Sequence, residues 1–579
     1  MNSSMILSRV RRVLACLGVV SGRSRAVAFT KRGFVTVVLA LTAATVHAQY
    51  SGNNQTLTVN GVTSNWSGNY KMDYYGGALV VTNVGKLLVT GSTYAMVGGF
   101  GATASNNTVL VTDTGSVWSN NSTLYMAYDG AGNQLTIANG GMVYNGIGYI
   151  GFASTSSNNT VLVTGNGSVW TNSAGLYLGR SGGGNRLTIT NGGTVYATDG
   201  TLSAAASSGN NTALVTGTNS VWRNSGPLSL NYVGNQLTIA NSGTVYNTDG
   251  NIGAIGGSNT VLVTGGGVWT NSGFLYVGQS GGGNQLTITN GGTVYNKGTF
   301  GAIGYGSSSN TVLVTGTGSV WNNKANNFVV GNPGSGNQLA IANGGMVYMT
   351  GSIATYIGYN AGDNNNAGLV TGPGSVWSNS VFLCVGRAGW GNQLTIANGG
   401  MVYNLAGYIG FTGTAANSNR VFVSGSGSVW RTTGTLTVNN AGTGNGLILS
   451  NGGVAAVSGT VSINAGGYVT NYVAGIAGGL DMANTSVGAL TLNGKMGIVF
   501  AGAPTQLGPY WGLRWAGDHT NALKGYTNSG ALTISDGPDL PAFWQNKAAI
   551  YYDSTNTYVG FHVSSIPATR AGGTLITIR

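Results

Sequence analysis

The chain has 579 residues, of which 102 are glycine and only 6% are charged, and its formal net charge is +12. A hydrophobic fraction of 42% with so little charge excludes an intrinsically disordered protein, which has the opposite balance. Seven of the 23 basic residues precede residue 33, so the remainder carries 16 basic against 11 acidic residues. That density is too low for a nucleic-acid-binding surface, and we expect no nucleic-acid partner.

The first 48 residues have the pattern of a secretory signal peptide. A basic stretch ends at Arg32, an apolar run follows at 34–46, and small residues then offer a cleavage point before Gln49. The run is shorter than the roughly 20 apolar residues of a membrane span. We therefore predict an exported mature chain that begins at Gln49, has no transmembrane span, and keeps one cysteine, Cys384.

From about residue 100 onward, the sequence repeats one template. Each unit opens with Asn, continues with alternating apolar residues, passes a Gly-containing turn, and then has Val, an aromatic residue and a second short apolar alternation. The opening residues, mostly 26 residues apart, are Asn107, Asn133, Asn159, Asn185, Asn211, Asn235, Asn259, Asn284, Asn310, Asn337, Asn366, Asn392, Asn419 and Asn445. Short alternating runs between Gly and Asn indicate strands and turns.

Three short strands per unit predict one coil of a parallel β-helix. We expect an all-β chain of about 17–18 coils over 49–500, closed by a small β-rich capping module over 501–579. The opening Asn residues should stack at one corner and hydrogen-bond along the axis. In such a coil Leu135 and Ile137 share the inner face with Asn133.

A β-propeller is the alternative architecture, because paired units give a 52-residue repeat that occurs about seven times. A propeller blade has no reason to consist of two copies of one 26-residue template. Looser units also continue at both ends, near 57–59 and 460–463, where a closed ring would have to join. The solenoid is therefore favoured.

The repeat sequences VLVTGTGSVW (312–321) and GNQLTITNGGTVYN (283–296) resemble repeats associated with type V secretion and PEP-CTERM proteins. The chain is also similar in kind to the passenger β-helices of autotransporter adhesins, over roughly 100–456. The resemblance implies an exported rod, extracellular or at the cell surface in association with the outer membrane, with retention in the periplasm as the other location. About 80 residues follow residue 500, too few for a translocator barrel, so we expect the rod to be released, held by an outer-membrane anchoring partner, or retained in the periplasm.

Residues that could carry hydrolase or lyase chemistry are sparse. The repeats contain isolated aspartates, which we interpret as turn-capping residues: Asp113, Asp129, Asp199, Asp249 and Asp363. A second titratable group near Trp511, Trp515 and Trp544 comprises Asp518, His519, Asp536, Asp539, Asp553 and His562. Its spacing matches no metal site or catalytic triad. We expect no catalytic residue, metal or cofactor; the alternative is a polysaccharide-active enzyme with its site in the C-terminal module.

An aromatic residue about eleven positions after each opening Asn gives the main candidate site. The stripe consists of Trp118, Tyr144, Trp170, Tyr196, Trp222, Tyr246, Trp269, Tyr295, Trp321, Tyr348, Trp377, Tyr403 and Trp430. Each follows a Val that alternation predicts to point inward, so the rings are predicted to face outward and stack between coils. Such a stripe either only stabilises the rod or binds a surface glycan or another cell-surface component. Cys384, in the slot of Tyr177 and Tyr276, is interpreted as a packing residue.

Together these features predict an exported, non-enzymatic surface or extracellular protein that serves as an adhesin or a structural scaffold.

Overall fold

Alternation of apolar and polar residues produces strands of three to nine residues, broken by turns rich in Gly and Asn. The computed structural model describes residues 35–38, 52–101, 103–324, 326–351, 354–483 and 489–564. In these residues the chain winds into a parallel β-helix of about 17 coils, which confirms the predicted all-β solenoid. At about 4.8 Å per coil the rod is roughly 80 Å long.

Each coil contributes one strand to each of three sheets. The strands of the first sheet are Val35–Val38, Gln55–Asn60, Ala78–Thr82, Thr108–Thr112, Gln134–Ala138, Thr160–Thr164, Arg186–Thr190, Thr212–Thr216, Gln236–Ala240, Thr260–Val263, Gln285–Thr289, Thr311–Thr315, Gln338–Ala342, Ala367–Thr371, Gln393–Ala397, Arg420–Ser424, Gly446–Ser450, Tyr468–Ala474, Lys495–Ala501 and Leu532–Asp536. Those of the second sheet are Thr63–Ser67, Lys86–Thr90, Val117–Asn120, Met142–Asn145, Val169–Asn172, Thr194–Ala197, Val221–Asn224, Thr244–Asn247, Val268–Asn271, Thr293–Asn296, Val320–Asn323, Met346–Met349, Val376–Asn379, Met401–Asn404, Val429–Thr432, Val454–Val457, Leu480–Met482, Gly508–Ala516, Ala549–Tyr552 and Asn556–Val563. Those of the third sheet are Tyr70–Met72, Tyr94–Val97, Thr123–Met126, Gly148–Ile150, Leu176–Leu178, Gly200–Leu202, Leu228–Leu230, Gly250–Ile252, Leu275–Val277, Phe300–Ile303, Asn327–Val330, Ala354–Ile357, Phe382–Val385, Ala406–Ile409, Leu436–Val438, Val461–Ile463 and Leu490–Leu492.

Strands pair in parallel with their counterparts one coil before and one coil after. In the first sheet Leu135 lies opposite Val161, and Val161 lies opposite Leu187. A propeller blade would instead pair strands that follow one another along the chain. The propeller alternative is therefore wrong.

The interior is one continuous apolar core that runs the length of the rod. Leu135 and Ile137 are buried on the same inner face as Asn133, as predicted from alternation. Leu176 and Leu178 line the core from the third sheet. Every coil therefore buries side chains from three directions.

The turn between the first and second sheets explains the recurrent NGG sequence. Asn139 and Gly140 both have positive φ, at 49° and 86°. A Cβ on Gly141 would lie 2.3 Å from the carbonyl oxygen of Val111 in the preceding coil. The first two positions therefore need left-handed backbone, and the third needs a residue without a side chain.

At the C-terminal end the parallel pairing gives way to a small module. Strand Gly508–Ala516 pairs in parallel with Leu480–Met482 and antiparallel with Asn556–Val563. Helix Thr520–Asn528 packs through its buried Leu523. A two-bond ion pair between Arg514 and Asp481, with N–O distances of 3.0 and 2.6 Å, joins this strand to the coil below it. The predicted division at residue 500 falls inside Lys495–Ala501.

At the N-terminal end, Val35–Val38 pairs in parallel with Gln55–Asn60. The rest of the predicted signal peptide, 1–48, lies outside the described residues, so its cleavage stays a prediction. Among the described residues, no helix is long and apolar enough to cross a membrane.

Candidate functional site

The opening Asn residues form a buried ladder along one corner, as the repeat predicted. Their side chains are fully buried, and each step from Asn107 to Asn445 is bridged by a hydrogen bond. The backbone N–H of one Asn donates to Oδ1 of the Asn in the next coil, at 2.9 Å for Asn107 and Asn133. Because these amides are enclosed and paired, they hold the corner together and are not available to a ligand.

The aromatic stripe divides into two columns, and the outward prediction is wrong for its tryptophans. At most 1% of the surface of each of these side chains is exposed: Trp118, Trp170, Trp222, Trp269, Trp321, Trp377 and Trp430. Trp170 lies opposite the inward Val143 and Val195, whereas Tyr196 lies opposite Thr171 on the outer face. The tryptophans therefore belong to the core.

A difference in turn length causes this split. Val163 and Ile189 are paired and occupy equivalent positions at the end of their first-sheet strands. The second-sheet strand then begins at Val169, six residues after Val163, in one coil and at Thr194, five residues after Ile189, in the next. The extra turn residue shifts the strand by one position, and a shift of one reverses the face of every side chain. Val169, predicted to point inward, is accordingly on the outer side and half-buried.

The coil of Trp269 confirms this explanation. Its turn lacks the extra residue, because Val268 lies five residues after Val263. The next coil, which contains Tyr295, has the same spacing, from Ile288 to Thr293. Trp269 follows its opening Asn259 by ten positions instead of eleven, and it still faces inward. The deviation in spacing therefore preserves the inward orientation.

The tyrosines occupy the outer face of the second sheet, in every second coil. This tyrosine column consists of Tyr144, Tyr196, Tyr246, Tyr295, Tyr348 and Tyr403, with Tyr144 and Tyr196 exposed by 38% and 42% and the others half-buried. In the five coils between them the same slot holds Thr171, Arg223, Thr270, Asn322 and Ser378, and Arg431 holds it in the coil after Tyr403. Two coils separate consecutive rings, so the rings cannot stack on each other as predicted.

A second aromatic surface, which the sequence analysis missed, covers the outer face of the third sheet. Tyr125, Tyr149 and Tyr177 stack in successive coils, with ring centroids 5.3 and 5.1 Å apart. The guanidinium of Arg180 lies 4.5 Å from the ring of Phe152, which packs beside this stack. Alternate aromatic residues in the third strand of the repeat, as in LYL at 176–178, were the signal that could have revealed it.

Further along the same face, Cys384 lies in a small apolar cluster with Ala302, Val329, Ala354 and Tyr356. It pairs with Tyr356 in the preceding coil, so it occupies the outward slot predicted for it. Neighbouring rings bury it completely, and burial raises the pKa of the thiol above its ordinary value. A buried, protonated thiol is a poor nucleophile, in agreement with a packing role.

The aspartates of the repeats accept hydrogen bonds in turns, as interpreted from the sequence. Asp249 accepts from the backbone N–H of Phe274, and Asp363 accepts from those of Gly334 and Asn360. Such bonds satisfy backbone donors at the corners of the coil.

Asp518 and His519 of the C-terminal module also make local contacts. Asp518 accepts from the hydroxyl and backbone N–H of Thr520, and these bonds lower the pKa of its carboxyl. His519 stacks on Trp515 at 3.6 Å, and one ring nitrogen lies 2.9 Å from the carbonyl oxygen of Ala516. Within the described residues, no group of three or more His, Cys, Asp or Glu side chains is arranged to hold a metal ion.

Comparisons with known proteins do not assign the chain to a family. No family model and no curated protein matches it. Among solved structures it is similar to one described as the crystal structure of a TibC-catalysed, hyper-glycosylated TibA fragment covering 55–350, with 13% identity and a TM-score of 0.29. The match covers 77% of this chain and 96% of that fragment. Identity and TM-score at these levels support neither a shared family nor a shared function, so the predicted family resemblance stays a prediction.

Proposed function

We propose that the chain is an exported, non-enzymatic rod that works as a surface adhesin or scaffold and binds through tyrosines on its outer surface. The observation that carries this proposal is the tyrosine column, a regular row of exposed and half-buried rings on one sheet face that spans eleven coils. Exposed aromatic side chains in an ordered row are typical of interaction surfaces.

The rod itself supports a scaffolding role. Each coil binds its neighbours through three sets of strand pairs, a continuous core and the Asn ladder. Solenoids of this kind present extended surfaces instead of a single concave pocket. The C-terminal module closes the last coil through the ion pair of Arg514 and Asp481, which supports a capping role for it.

Fractionation of the producing cells tests the location, with antibodies against the mature chain and N-terminal sequencing of the recovered protein. We expect mature chain that begins at Gln49 in the outer-surface or extracellular fraction, and weaker surface attachment by cells that lack it. Recovery of the full chain in the cytoplasm would contradict the proposal.

A separate assay tests the enzymatic alternative. Purified chain is incubated with a panel of soluble polysaccharides, and new reducing ends or unsaturated products are measured. Under the proposed function no product accumulates above the heat-denatured control. Product that disappears on substitution of Asp518 and His519 would instead favour the enzyme.

A further inference from the structure

The spacing of the tyrosine column is set by the backbone. One tyrosine occurs in every second coil, and adjacent coils are about 4.8 Å apart, so consecutive rings lie about 10 Å apart along the rod axis. From Tyr144 to Tyr403 the column covers ten coil steps, or about 48 Å. The parallel strand pairs of the first sheet fix the register between successive coils, so the spacing of the tyrosines stays constant along the rod.

We infer that the tyrosine column binds an extended β-1,4-linked polysaccharide, laid parallel to the rod axis with one disaccharide per tyrosine. The inference deepens the proposed function and rests on it. An extended β-1,4-linked hexose chain presents the same sugar face once per disaccharide, over a length close to that of two coils. An α-1,4-linked glucan coils into a helix and does not keep this register.

The orientation of three of the six rings suits such a chain. The hydroxyl of Tyr144 lies 3.1 Å from the sulfur of Met142, two residues earlier on the same outer face. The ring therefore lies back along the strand instead of standing away from the sheet. The same contact recurs at Tyr348 and Tyr403 with Met346 and Met401, also at 3.1 Å. A ring that lies along the sheet presents a broad surface to the apolar face of a sugar.

The slots between the tyrosines supply polar contacts. They hold hydroxyls, one amide and one guanidinium group and carry no carboxylate, as at Thr171, Arg223 and Asn322. The Arg223 guanidinium lies over the Tyr246 ring, 4.2 Å from its centroid, so it occupies part of the face of that ring and adds N–H donors to the column. Such groups hydrogen-bond to sugar hydroxyls between the stacked positions.

The stacked tyrosines of the third sheet are a poorer match. Their ring centroids are 5.3 and 5.1 Å apart, and the rings of Tyr125 and Tyr149 are nearly parallel, at 9°. Each ring therefore covers the faces of its neighbours and leaves mainly edges for a ligand. The period and accessible rings together single out the second sheet.

Isothermal titration calorimetry with the full mature chain tests this inference, with β-1,4-linked gluco-oligosaccharides of two to eight sugars as probes. We expect affinity to rise with each added disaccharide, and maltooligosaccharides of equal length to bind much more weakly. The combined variant Tyr196→Ala, Tyr246→Ala and Tyr295→Ala should lose roughly tenfold or more in affinity. The corresponding Phe variant should retain most of it, because the rings remain.

A matched control removes side chains from another outer face of the same part of the rod. Leu162, Leu214 and Leu262 are half-buried on the outer side of the first sheet, and their combined replacement by Ala should leave the affinity unchanged. Circular dichroism confirms that each variant keeps its β-sheet signal. An equal loss in the leucine variant, or equal binding of the α-linked sugars, would overturn the inference.

Failure of this inference is distinguishable from failure of the proposed function. Wild-type chain that attaches to cell surfaces but binds none of the β-1,4-linked probes would overturn the inference and leave the adhesin proposal standing. Chain that attaches to no surface and binds no probe would overturn both.

Discussion

The indole nitrogen of Trp170 donates a hydrogen bond of 2.7 Å to Oδ1 of Asn145 in the preceding coil. Trp269 makes the same bond to Asn247, and Trp430 makes it to Asn404. In the pair of coils at Trp222, Ala197 takes the position of the acceptor, and within the described residues the Trp222 indole N–H has no partner.

Replacement of Ala197 by Asn should therefore stabilise the rod. The new amide would accept from Trp222 and donate to Asn224, whose side-chain amide is also buried and unpaired among the described residues. We expect a gain of about 1–3 kcal/mol in the free energy of unfolding, from two hydrogen bonds to previously unsatisfied groups. Urea denaturation measures the gain. Ala197→Leu, which adds similar volume without an acceptor, should give no such gain; an equal gain would contradict the explanation.

Truncation should cost much more stability in the tryptophan column than in the tyrosine column. Trp222→Ala removes a fully buried ring and should lower the free energy of unfolding by about 3–5 kcal/mol. Tyr196→Ala removes a ring that is 42% exposed and should cost less than about 1 kcal/mol. Chemical denaturation of both variants makes the comparison. Similar losses would show that the two columns do not differ in burial.

Removal of any one side chain of the Asn ladder should lower the free energy of unfolding. Asn284→Ala removes the acceptor of the buried Asn259 backbone N–H and amide, both at 3.0 Å, and should cost about 1–3 kcal/mol. Hydrogen exchange at the Asn259 amide should accelerate. Asn322→Ala, on the outer face of the second sheet, is the control and should leave that exchange rate unchanged.

The C-terminal end should lose stability at high pH. Burial raises the pKa of Tyr510 to about 12, and its hydroxyl donates to the carbonyl oxygen of Val473 and accepts from the N–H of Gly475. A pKa raised on folding contributes stability that is present below the unfolded value near 10 and is lost as the pH rises toward 12. Hydrogen exchange in Gly508–Ala516 should therefore increase over that window, beyond the intrinsic effect of pH. Tyr510→Phe should remove the increase; a persistent increase would assign it to other groups.

The period of the repeat was enough to predict the coil, the buried Asn133, Leu135 and Ile137, and the stacking of the Asn residues. These features lie within one strand or repeat at a constant interval, so alternation fixes their faces. The outward orientation predicted for Trp170 was wrong, because this residue lies beyond a turn whose length differs by one residue between alternating coils. The ten-residue spacing of Trp269 was the visible sign of that difference.

The outer clusters of the third sheet were harder to predict for a different reason. Phe152 and Arg180 lie in corner loops that vary from coil to coil, and their contacts with Tyr149 or with each other depend on how the loops fold back over the sheet. Strand alternation gives the face of Tyr149 but does not give the path of a loop.

Hydroxyl-radical footprinting with mass spectrometry tests the central claim most directly, since it measures the accessibility of both columns in one sample. The full mature chain is labelled free and with a saturating β-1,4-linked polysaccharide. The account predicts oxidation of Tyr144, Tyr196 and Tyr246 in the free chain, their protection in the complex, and no oxidation of Trp170 or Trp222 in either sample. Oxidised tryptophans in the folded chain, or tyrosines that stay fully reactive in the complex, would contradict it.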